Sequence, residues 1–385
     1  MADAARCRGR HRGGHRRLAV GLRRGAVRGS GMIAIIGGGP AGIALATALD
    51  RLGLNYELFE ARELGATWRA APPDLRVLSP WWTNVLSFGD VLRGNPFRKP
   101  HAGEYLDHLL RIAKRLRGTI HENNEVLGIE EDGNGNWNVR TAHGISPGYS
   151  SVAMATGYFF SPSWPSPPLI EDGSVRILHA SEISDYAQLE QLRSGDRPVV
   201  VVGRRVTAGQ LMLELHDRGI PCALSLRSPI EFRRHGFIAS IRETVYFFWE
   251  ELQARLRPGI KRPSYPVMDG GRNRGLVESG KVEVWPTLKR IENGEIVLDD
   301  GRRAHAAAVI MATGYRALLD LLPRPVTRDG FDVPLNSRFE VQSLPGVYLL
   351  GFDNLYDHRS RYLRGIRFDA ARLAKVLAAR RTPAD

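Results

Sequence analysis

Cysteine is scarce in this sequence of 385 residues: there are two, Cys7 and Cys222, and they belong to no CxxC pair. This scarcity argues against a disulfide framework, a cysteine-ligated metal site and a redox dithiol. Long apolar runs are also missing, and no stretch reaches the roughly 20 residues that a transmembrane helix needs. We therefore expect a reduced, cytoplasmic setting, with no metal site and no transmembrane segment.

The net charge of +13 is unevenly distributed along the chain. Residues 1–31 hold nine arginines against one acid, Asp3, so eight of the positive charges lie there. This segment lacks hydrophobic periodicity, and we expect it to be a disordered extension of an enzyme that begins at Met32. The alternatives are a targeting peptide and an anion-binding arm, which in one hypothesis holds nucleic acid. The remaining chain is only modestly basic, and we expect no nucleic-acid partner.

The most informative stretch is IAIIGGGPAGIALATAL, at residues 33–49. An apolar strand, a glycine turn and an Ala/Leu-rich helix follow one another there, which is the context of a GxGxxG dinucleotide-binding motif. Gly37 permits the sharp turn, Gly39 lets a pyrophosphate approach the backbone, and Gly42 lets helix and strand pack closely. The phosphates would then meet the free N–H groups at the start of the helix.

Two later features extend this pattern. About twenty residues after the turn, the strand YELFE ends in Glu60, which is placed to accept hydrogen bonds from a ribose. A second strand–turn–helix pattern occupies residues 198–219, and HAAAVIMATGY at 305–315 echoes the earlier SVAMATGY at 151–158. This duplication predicts an α/β fold with two doubly wound, Rossmann-like dinucleotide-binding domains.

Two nucleotide-binding folds without a redox dithiol call for a flavin that is reduced by a nicotinamide cofactor. We expect the second unit to interrupt the first. The predicted parts are a disordered extension at 1–31, the first part of an FAD-binding domain at 32–162, an inserted NADPH-binding domain at 163–316, and the C-terminal part of the FAD-binding domain at 317–385.

Residues 238–256 form a predicted amphipathic helix. We expect one stripe of this helix to cover the core, namely Ile238, Ile241, Val245, Phe248 and Leu252. Phe247 and Trp249 lie off that stripe. They would face a substrate channel, a partner subunit or a membrane surface.

Several short motifs occur in a specific order: GGGPAG, GATW at 65–68, ATGY at 155–158 and again at 312–315, ESGKVEV at 278–284, LDDGR at 298–302 and VYLLGF at 347–352. From Met32 to the C-terminus this order resembles that of the class B flavin monooxygenases, particularly the plant YUCCA-type enzymes and their bacterial relatives. The resemblance implies an FAD- and NADPH-dependent monooxygenase that inserts one oxygen atom from O2 into a small organic substrate through a flavin hydroperoxide. The alternative is an NAD(P)H-dependent reductase that passes electrons to a quinone or protein. A homodimer is one option for the assembly.

The resemblance also implies the cofactor-binding residues. In the first unit and its C-terminal part they are Gly37, Gly39, Pro40, Ala41, Gly42, Glu60, Thr67, Trp68, Val126, Ala155, Thr156, Gly157, Gly351 and Phe352. In the second unit they are Gly203, Arg205, Thr207, Ala208, Arg227, Ala312, Thr313 and Gly314. Arg227 resembles the family's ligand for the 2′-phosphate of NADPH, a role that suits a guanidinium group. A surface arginine without a ligand is the alternative.

The catalytic prediction is Asn84, which resembles the asparagine that hydrogen-bonds the peroxide in relatives. An ordinary loop asparagine or cap is the alternative. Trp68, Trp81 and Trp82 would line a pocket that excludes water.

Two positions depart from the family pattern. Arg205 stands where the second glycine loop usually has a glycine, so its side chain would either block the pyrophosphate or grip it. The FxGxxxHxxx(Y/W) signature is incomplete. His179 and Tyr186 resemble its end, and we expect His179 to be a hinge or packing residue rather than a base.

Overall fold

The structure is a computed structural model, and it describes residues 31–92, 95–166, 168–233, 237–257, 259–261, 267–324, 326, 335–336 and 338–381. The predicted N-terminal extension therefore lies, apart from Gly31, outside the described residues. Cys7 lies outside them as well.

The first part of the chain supplies one sheet and the elements that cover it. In chain order these are β1 (Ile33–Ile36), α1 (Pro40–Arg51), β2 (Tyr56–Phe59), α2 (Ala66–Arg69), α3 (Trp81–Asn84), α4 (Ala102–Ala113), β3 (Thr119–His121), β4 (Val126–Glu131), β5 (Trp137–Thr141), β6 (Gly144–Tyr149) and β7 (Ser151–Met154).

The middle part forms a second sheet, and the chain then returns to the first. The middle elements are β8 (Arg176–His179), β9 (Val199–Val202), α5 (Val206–Asp217), β10 (Cys222–Ser225), β11 (Glu231–Phe232), α6 (Phe237–Leu256), β12 (Val267–Met268), α7 (Arg272–Glu278), β13 (Glu283–Trp285), β14 (Leu288–Glu292), β15 (Glu295–Leu298), β16 (Arg303–His305) and β17 (Ala308–Met311). The last elements are β18 (Val347–Leu349) and α8 (Leu363–Arg381).

The first sheet is parallel, with strand order β18-β7-β1-β2-β3. The central strand β1 is buried along its whole length, as expected for a strand that is covered on both faces. Ile33 and Ile35 face the helices α1, α4 and α8, whereas Ala34 and Ile36 face the antiparallel strands β4 to β6. A continuous apolar run is therefore what this position in the fold requires.

The second sheet repeats this arrangement, with parallel strand order β13-β10-β9-β17-β8. Val199 and Val201 of β9 pack against α5 and α7, while Val200 faces the antiparallel strands β14 to β16. Because β8 to β17 lie between β7 and β18 in the chain, the second sheet interrupts the first. The predicted α/β fold with two doubly wound units is confirmed.

Two connectors join the units and run side by side. Pro162 and Tyr315 form an antiparallel bridge, and the N–H of Ser163 donates to the carbonyl of Gly314 at 2.9 Å. The N–H of Leu318 donates to the carbonyl of Gly157 at 3.0 Å. Residues 162 and 316, the predicted domain boundaries, lie in these connectors, and the division into domains stays a prediction.

The helix predicted at 238–256 is present as α6, but its predicted buried stripe is wrong at Val245 and Phe248. The side chains of Ile238 and Ile241 lie outside the described part of the structure. Val245 and Phe248 are 60% and 66% exposed, whereas Phe247 is only 6% exposed. Trp249 is predicted off their stripe, but it lies on the same outward side and is 54% exposed. The buried face also contains Glu250, which is 3% exposed and accepts hydrogen bonds from His358 and Arg364 in the C-terminal part of the chain. This ionic pairing determines which face turns inward, and hydrophobic periodicity cannot detect it.

No helix within the described residues is long and apolar enough to cross a membrane.

Candidate functional site

The first glycine turn is tight on two sides and open on the third. Gly37 has φ +111°, and a Cβ atom there would lie 2.4 Å from the carbonyl oxygen of Ala155. A Cβ at Gly42 would lie 1.9 Å from the carbonyl oxygen of Gly37, so helix α1 rests directly on the turn. A Cβ at Gly39 would meet nothing within 4 Å. The turn thus has the shape that a pyrophosphate needs, with space left beside Gly39.

Helix α1 presents its N-terminus to that space. Gly39 is the N-cap residue and supplies no side-chain cap, and Pro40 follows at the first helical position. The N–H groups of the first turn have no partner within a helix, and the helix dipole adds a partial positive charge there. An anion beside Gly39 would satisfy both.

Glu60 lies at the carboxyl end of β2, directly beside the glycine turn. Its side chain is 8% exposed. One carboxylate oxygen accepts the N–H of Gly38 at 2.6 Å, and the other accepts the N–H of Arg62 at 3.0 Å. These bonds fix the carboxylate next to the pyrophosphate space, where the ribose of a dinucleotide would follow.

Further segments converge on the same turn. The N–H of Gly65 donates to the carbonyl of Gly38 at 2.9 Å, which brings the GATW segment with Thr67 and Trp68 against the turn. A Cβ at Gly351 would lie 3.0 Å from Cβ of Ala41, so the loop after β18 touches the start of α1. The structure therefore brings together the predicted residues of the first unit from 37–42, 60, 65–68, 155–157 and 351–352.

A buried polar atom without a partner supports an adenine site near Glu60. The backbone N–H of Asn124 donates to the carbonyl of Glu60 at 3.0 Å, but its side-chain Oδ1 is buried and accepts no hydrogen bond. Val126, two residues on, is buried at the start of β4. Buried acceptors are normally satisfied, so Asn124 Oδ1 has the capacity to accept from a bound amine such as that of adenine.

The predicted tryptophans differ in their surroundings. The ring of Trp68 packs on Tyr105, with ring centroids 4.5 Å apart. Trp81 is buried, and its indole N–H donates to the carbonyl of Asp90 at 2.9 Å. The indole N–H of Trp82 is buried and has no partner. Trp82 therefore has a buried indole N–H that no protein group accepts.

Asn84 is 1% exposed, and its carboxamide is already engaged within its own loop. Its Nδ2 donates to the carbonyl of Ser79 at 2.9 Å, and its Oδ1 accepts from the Ser79 hydroxyl at 2.7 Å and from Thr83 at 3.3 Å. In this arrangement the side chain closes the loop before α3. The catalytic role of Asn84 stays a prediction, and contact with a reacting group requires these bonds to exchange.

The second glycine turn is built like the first although it carries an arginine. Gly203 has φ +150°, and a Cβ there would lie 2.6 Å from the carbonyl oxygen of Ala312. Arg205 is the N-cap residue of α5, with φ −105° and ψ −168°, close to the φ −83° and ψ −169° of Gly39. Because this backbone conformation is open to any residue, Arg205 fits without strain. Its side chain is exposed, whereas Arg204 is bonded to the carbonyl of Pro229 at 3.0 Å.

Around this second turn, the remaining predicted residues are also assembled. Ala208 is buried in α5 and Thr207 half-buried. The N–H of Ala312 donates to the carbonyl of Val202 at 2.9 Å, which places the segment with Thr313 and Gly314 beside the turn.

Arg227 lies two residues beyond β10, at an open cleft of about 350 Å³. Trp285, Pro286 and Pro229 give this cleft apolar surfaces, and a second arginine, Arg302, lines it as well. Sequence reasoning missed Trp285 and Arg302, because both come from the β13 to β16 region rather than from the glycine motif. Arg302 does end the LDDGR motif, which was the available signal.

His179 joins β8 to the connector between the units. Its Nδ1 accepts from the N–H of Ser181 at 3.2 Å, so the proton is on Nε2, which faces the carbonyl oxygen of Gly314 at 3.1 Å. Burial lowers the pKa of His179, which favours this neutral form. The geometry agrees with the expected hinge or packing role.

The known proteins to which this chain is similar are oxidoreductases. The family profile described as pyridine nucleotide-disulphide oxidoreductase matches residues 34–351. The chain is similar to an uncharacterized CzcO-like oxidoreductase of Geobacillus kaustophilus (27% identity over 348 residues, covering 88% of this chain and 95% of that protein). It is also similar to the probable indole-3-pyruvate monooxygenase YUCCA3 of Arabidopsis thaliana (23% identity over 328 residues, covering 74% and 72%). The fold resembles that of a flavin-containing monooxygenase from Stenotrophomonas maltophilia, with a TM-score of 0.69 at 20% identity over 90% of this chain and 98% of that one.

Proposed function

This chain belongs to the pyridine nucleotide-disulphide oxidoreductase family, and on that premise we propose that it is a monooxygenase that uses FAD and NADPH to insert one oxygen atom from O2 into a small organic substrate. Enzymes of this family use FAD and NADPH, and the resemblance to flavin monooxygenases is confirmed by the relatives.

The observation that carries the proposal is the combination of two dinucleotide turns with the lack of a cysteine pair. Of the two cysteines in the sequence, Cys222 lies on β10, where burial raises the pKa of its thiol to about 11. A thiol in that state is a poor nucleophile. Cys7 lies outside the described residues and is distant in sequence. Electrons that reach the flavin therefore have no CxxC dithiol to pass through, which disfavours a disulphide as their acceptor. The similarity to flavin monooxygenases then favours O2 over a quinone.

FAD would be held by the first unit. The N-terminus of α1 and the space beside Gly39 suit its pyrophosphate, Glu60 its ribose, and Asn124 Oδ1 its adenine. When bound, FAD supplies the hydride-accepting and oxygen-activating chemistry. The chain's own contribution is to orient the ring and keep water away from it, for which Trp68 and Trp82 are the available aromatic surfaces.

NADPH would be held by the second unit. Arg227 and Arg302 line one cleft with Trp285, so a phosphorylated ribose and an adenine ring both find suitable partners there. Arg205 stands at the N-terminus of α5, where the pyrophosphate is expected. We infer that Arg205 grips this pyrophosphate rather than blocking it, because its backbone is unstrained and its side chain is exposed.

The test measures NADPH oxidation, O2 consumption and hydrogen peroxide release in parallel across a substrate collection. A monooxygenase releases peroxide without substrate and releases less of it with a substrate that is oxygenated. Reaction under 18O2 should place one 18O atom in the product. Unlabelled product, or none with any substrate that accelerates NADPH oxidation, would contradict the proposal.

The second candidate is a reductase that passes electrons to a quinone or a protein, and the disulphide oxidoreductases after which the family is named favour it. An anaerobic assay distinguishes the two. A reductase oxidises NADPH rapidly when a quinone is supplied without O2, whereas a monooxygenase stalls after reducing its flavin once.

A further inference from the structure

Helix α6 has charged residues on its buried face and apolar residues on its exposed face. Its buried face holds Glu250, which accepts from His358 Nε2 at 2.8 Å and from Arg364 Nε at 2.6 Å. Its neighbour Glu251 pairs with Arg367 at 3.2 Å. These partners lie in or just before α8, so buried ion pairs attach α6 to the C-terminal part of the first unit.

The ion pairs fix the rotation of α6 about its axis. Glu250 is 3% exposed. Burial raises the pKa of its carboxylate, but the hydrogen bonds from His358 and Arg364 lower it by more, to about 2. Phe247 is buried on the same side, under the guanidinium of Arg364 at 5.2 Å. Rolling the helix to bury other residues would leave these charges unpaired, at a large cost. The outward face of α6 is therefore set by the fold.

That outward face is apolar and aromatic. Val245, Phe248, Trp249 and Leu256 are 60%, 66%, 54% and 71% exposed. Phe248, Trp249 and Leu256 follow Val245 by three, four and eleven residues, which places all four along one stripe of the helix. Isolated exposed apolar residues are common, but a continuous stripe of large ones indicates an interaction surface.

Basic side chains frame this stripe. Arg242 is exposed near the start of α6, and Arg257 and Lys261 are exposed beyond its end. Of the acidic residues in α6 whose side chains are described, Glu250 and Glu251 both turn inward. Trp, Phe and Leu on one face with basic residues around them are typical of a helix that lies in the interface of a bilayer. We propose that the outward face of α6 docks onto a bilayer that contains anionic phospholipids.

A second copy of the chain suits this surface less well. A two-fold axis through the centre of the stripe, at Phe248 and Trp249, would set α6 antiparallel to its copy. Residue 242 of one copy would then oppose residue 255 of the other, and both positions are arginine in the sequence. Anionic headgroups would neutralise these arginines, whereas a second copy would bring like charges together.

The test is co-sedimentation of the full chain with vesicles of phosphatidylcholine alone or mixed with phosphatidylglycerol. We expect binding to the mixed vesicles that weakens as salt is added. The double variant Phe248→Ser/Trp249→Ser should bind roughly tenfold more weakly or worse, since two apolar side chains no longer enter the interface. Arg242→Gln should weaken binding about fivefold, the share of one basic charge. The matched control is Ile145→Ser, because Ile145 is 60% exposed in β6, outside α6.

The basic residues 1–31 remain in every variant, so differences between variants report on α6 alone. The proposal is overturned if the wild type ignores phosphatidylglycerol vesicles, or if the double variant binds them as well as Ile145→Ser does. Light scattering without vesicles tests the other candidate for this surface, a second copy of the chain. A dimer that the double variant separates, with no vesicle binding by the wild type, would assign the surface to a second copy.

Discussion

Gly39 and Gly42 are three residues apart, yet alanine at these positions should have different effects. At Gly42 the new Cβ would lie 1.9 Å from a backbone carbonyl oxygen, so helix and turn would have to separate by about 1 Å to relieve the clash. At Gly39 the new Cβ would meet nothing of the protein within 4 Å, and φ is −83°. The first change strains the protein, whereas the second occupies the space that we assign to the pyrophosphate.

The expected magnitudes follow from these contacts. Gly42→Ala should lower the free energy of unfolding by about 1–3 kcal/mol, the usual cost of overpacking. For Gly39→Ala, the weaker N-cap and the reduced entropy of the unfolded chain should offset each other to within about 1 kcal/mol. Its effect should fall on FAD, whose displaced pyrophosphate would lose a charge-assisted hydrogen bond worth about 1.5–3 kcal/mol, or about 10- to 100-fold in affinity.

The assay measures two quantities for each variant: the unfolding free energy of the apoprotein in denaturant, and the dissociation constant of FAD from fluorescence titration. Gly39→Ala should be as stable as the wild type and bind FAD weakly. If it keeps the wild-type FAD affinity, the pyrophosphate does not lie beside Gly39. If Gly42→Ala is as stable as the wild type, α1 does not rest on the turn as described.

Three further predictions concern single side chains. Arg227→Ala should weaken NADPH binding far more than NADH binding, whereas Arg205→Ala should weaken both equally because both nucleotides carry the pyrophosphate. Titration of each variant with both nucleotides measures these losses. Equal losses of NADPH and NADH affinity in Arg227→Ala would refute the 2′-phosphate role. Glu250→Gln should lower the unfolding free energy at pH 7 by about 3 kcal/mol. Folding depresses the pKa of Glu250 from 4.5 to about 2, so this contribution is complete above pH 4.5 and disappears as the pH falls through about 2. The difference in unfolding free energy between Glu250→Gln and the wild type should therefore be smaller at pH 3 than at pH 7. A constant difference would contradict the ion pairing. Asn84→Ala should reduce substrate oxygenation more than Ser79→Ala, which removes the main partner of Asn84; equal losses would assign Asn84 to loop closure alone.

Much of the fold was predictable from the sequence because the glycine turns leave a direct signature. Gly37 and Gly203 have positive φ and lie against backbone carbonyls, so other residues are strongly disfavoured there. The apolar runs before them form strands that are covered on both faces, which requires continuous hydrophobicity. Local chemistry thus determines the two nucleotide turns, and sequence reading locates them.

The rest depends on contacts between distant segments. The orientation of α6 follows from Glu250 meeting Arg364, 114 residues away. Arg302 joins the cleft of Arg227 through the packing of separate strands. Asn84 has partners within its own loop, but no residue pattern distinguishes a loop-closing asparagine from one that awaits a ligand. Arg205 is a different case. Its residue type departs from the glycine motif, although its backbone conformation matches that of Gly39 in the first turn.

The strand order of the first sheet has a consequence for biosynthesis. Val152 of β7 pairs with Val347 of β18, and α1 packs against α8. The first sheet therefore lacks an edge strand and a covering helix until β18 and α8 have been made. The inserted sheet is contiguous from β8 to β17 and can form while translation continues. We expect the nascent chain to acquire flavin only after α8 has left the ribosome, with the nicotinamide-binding half already folded.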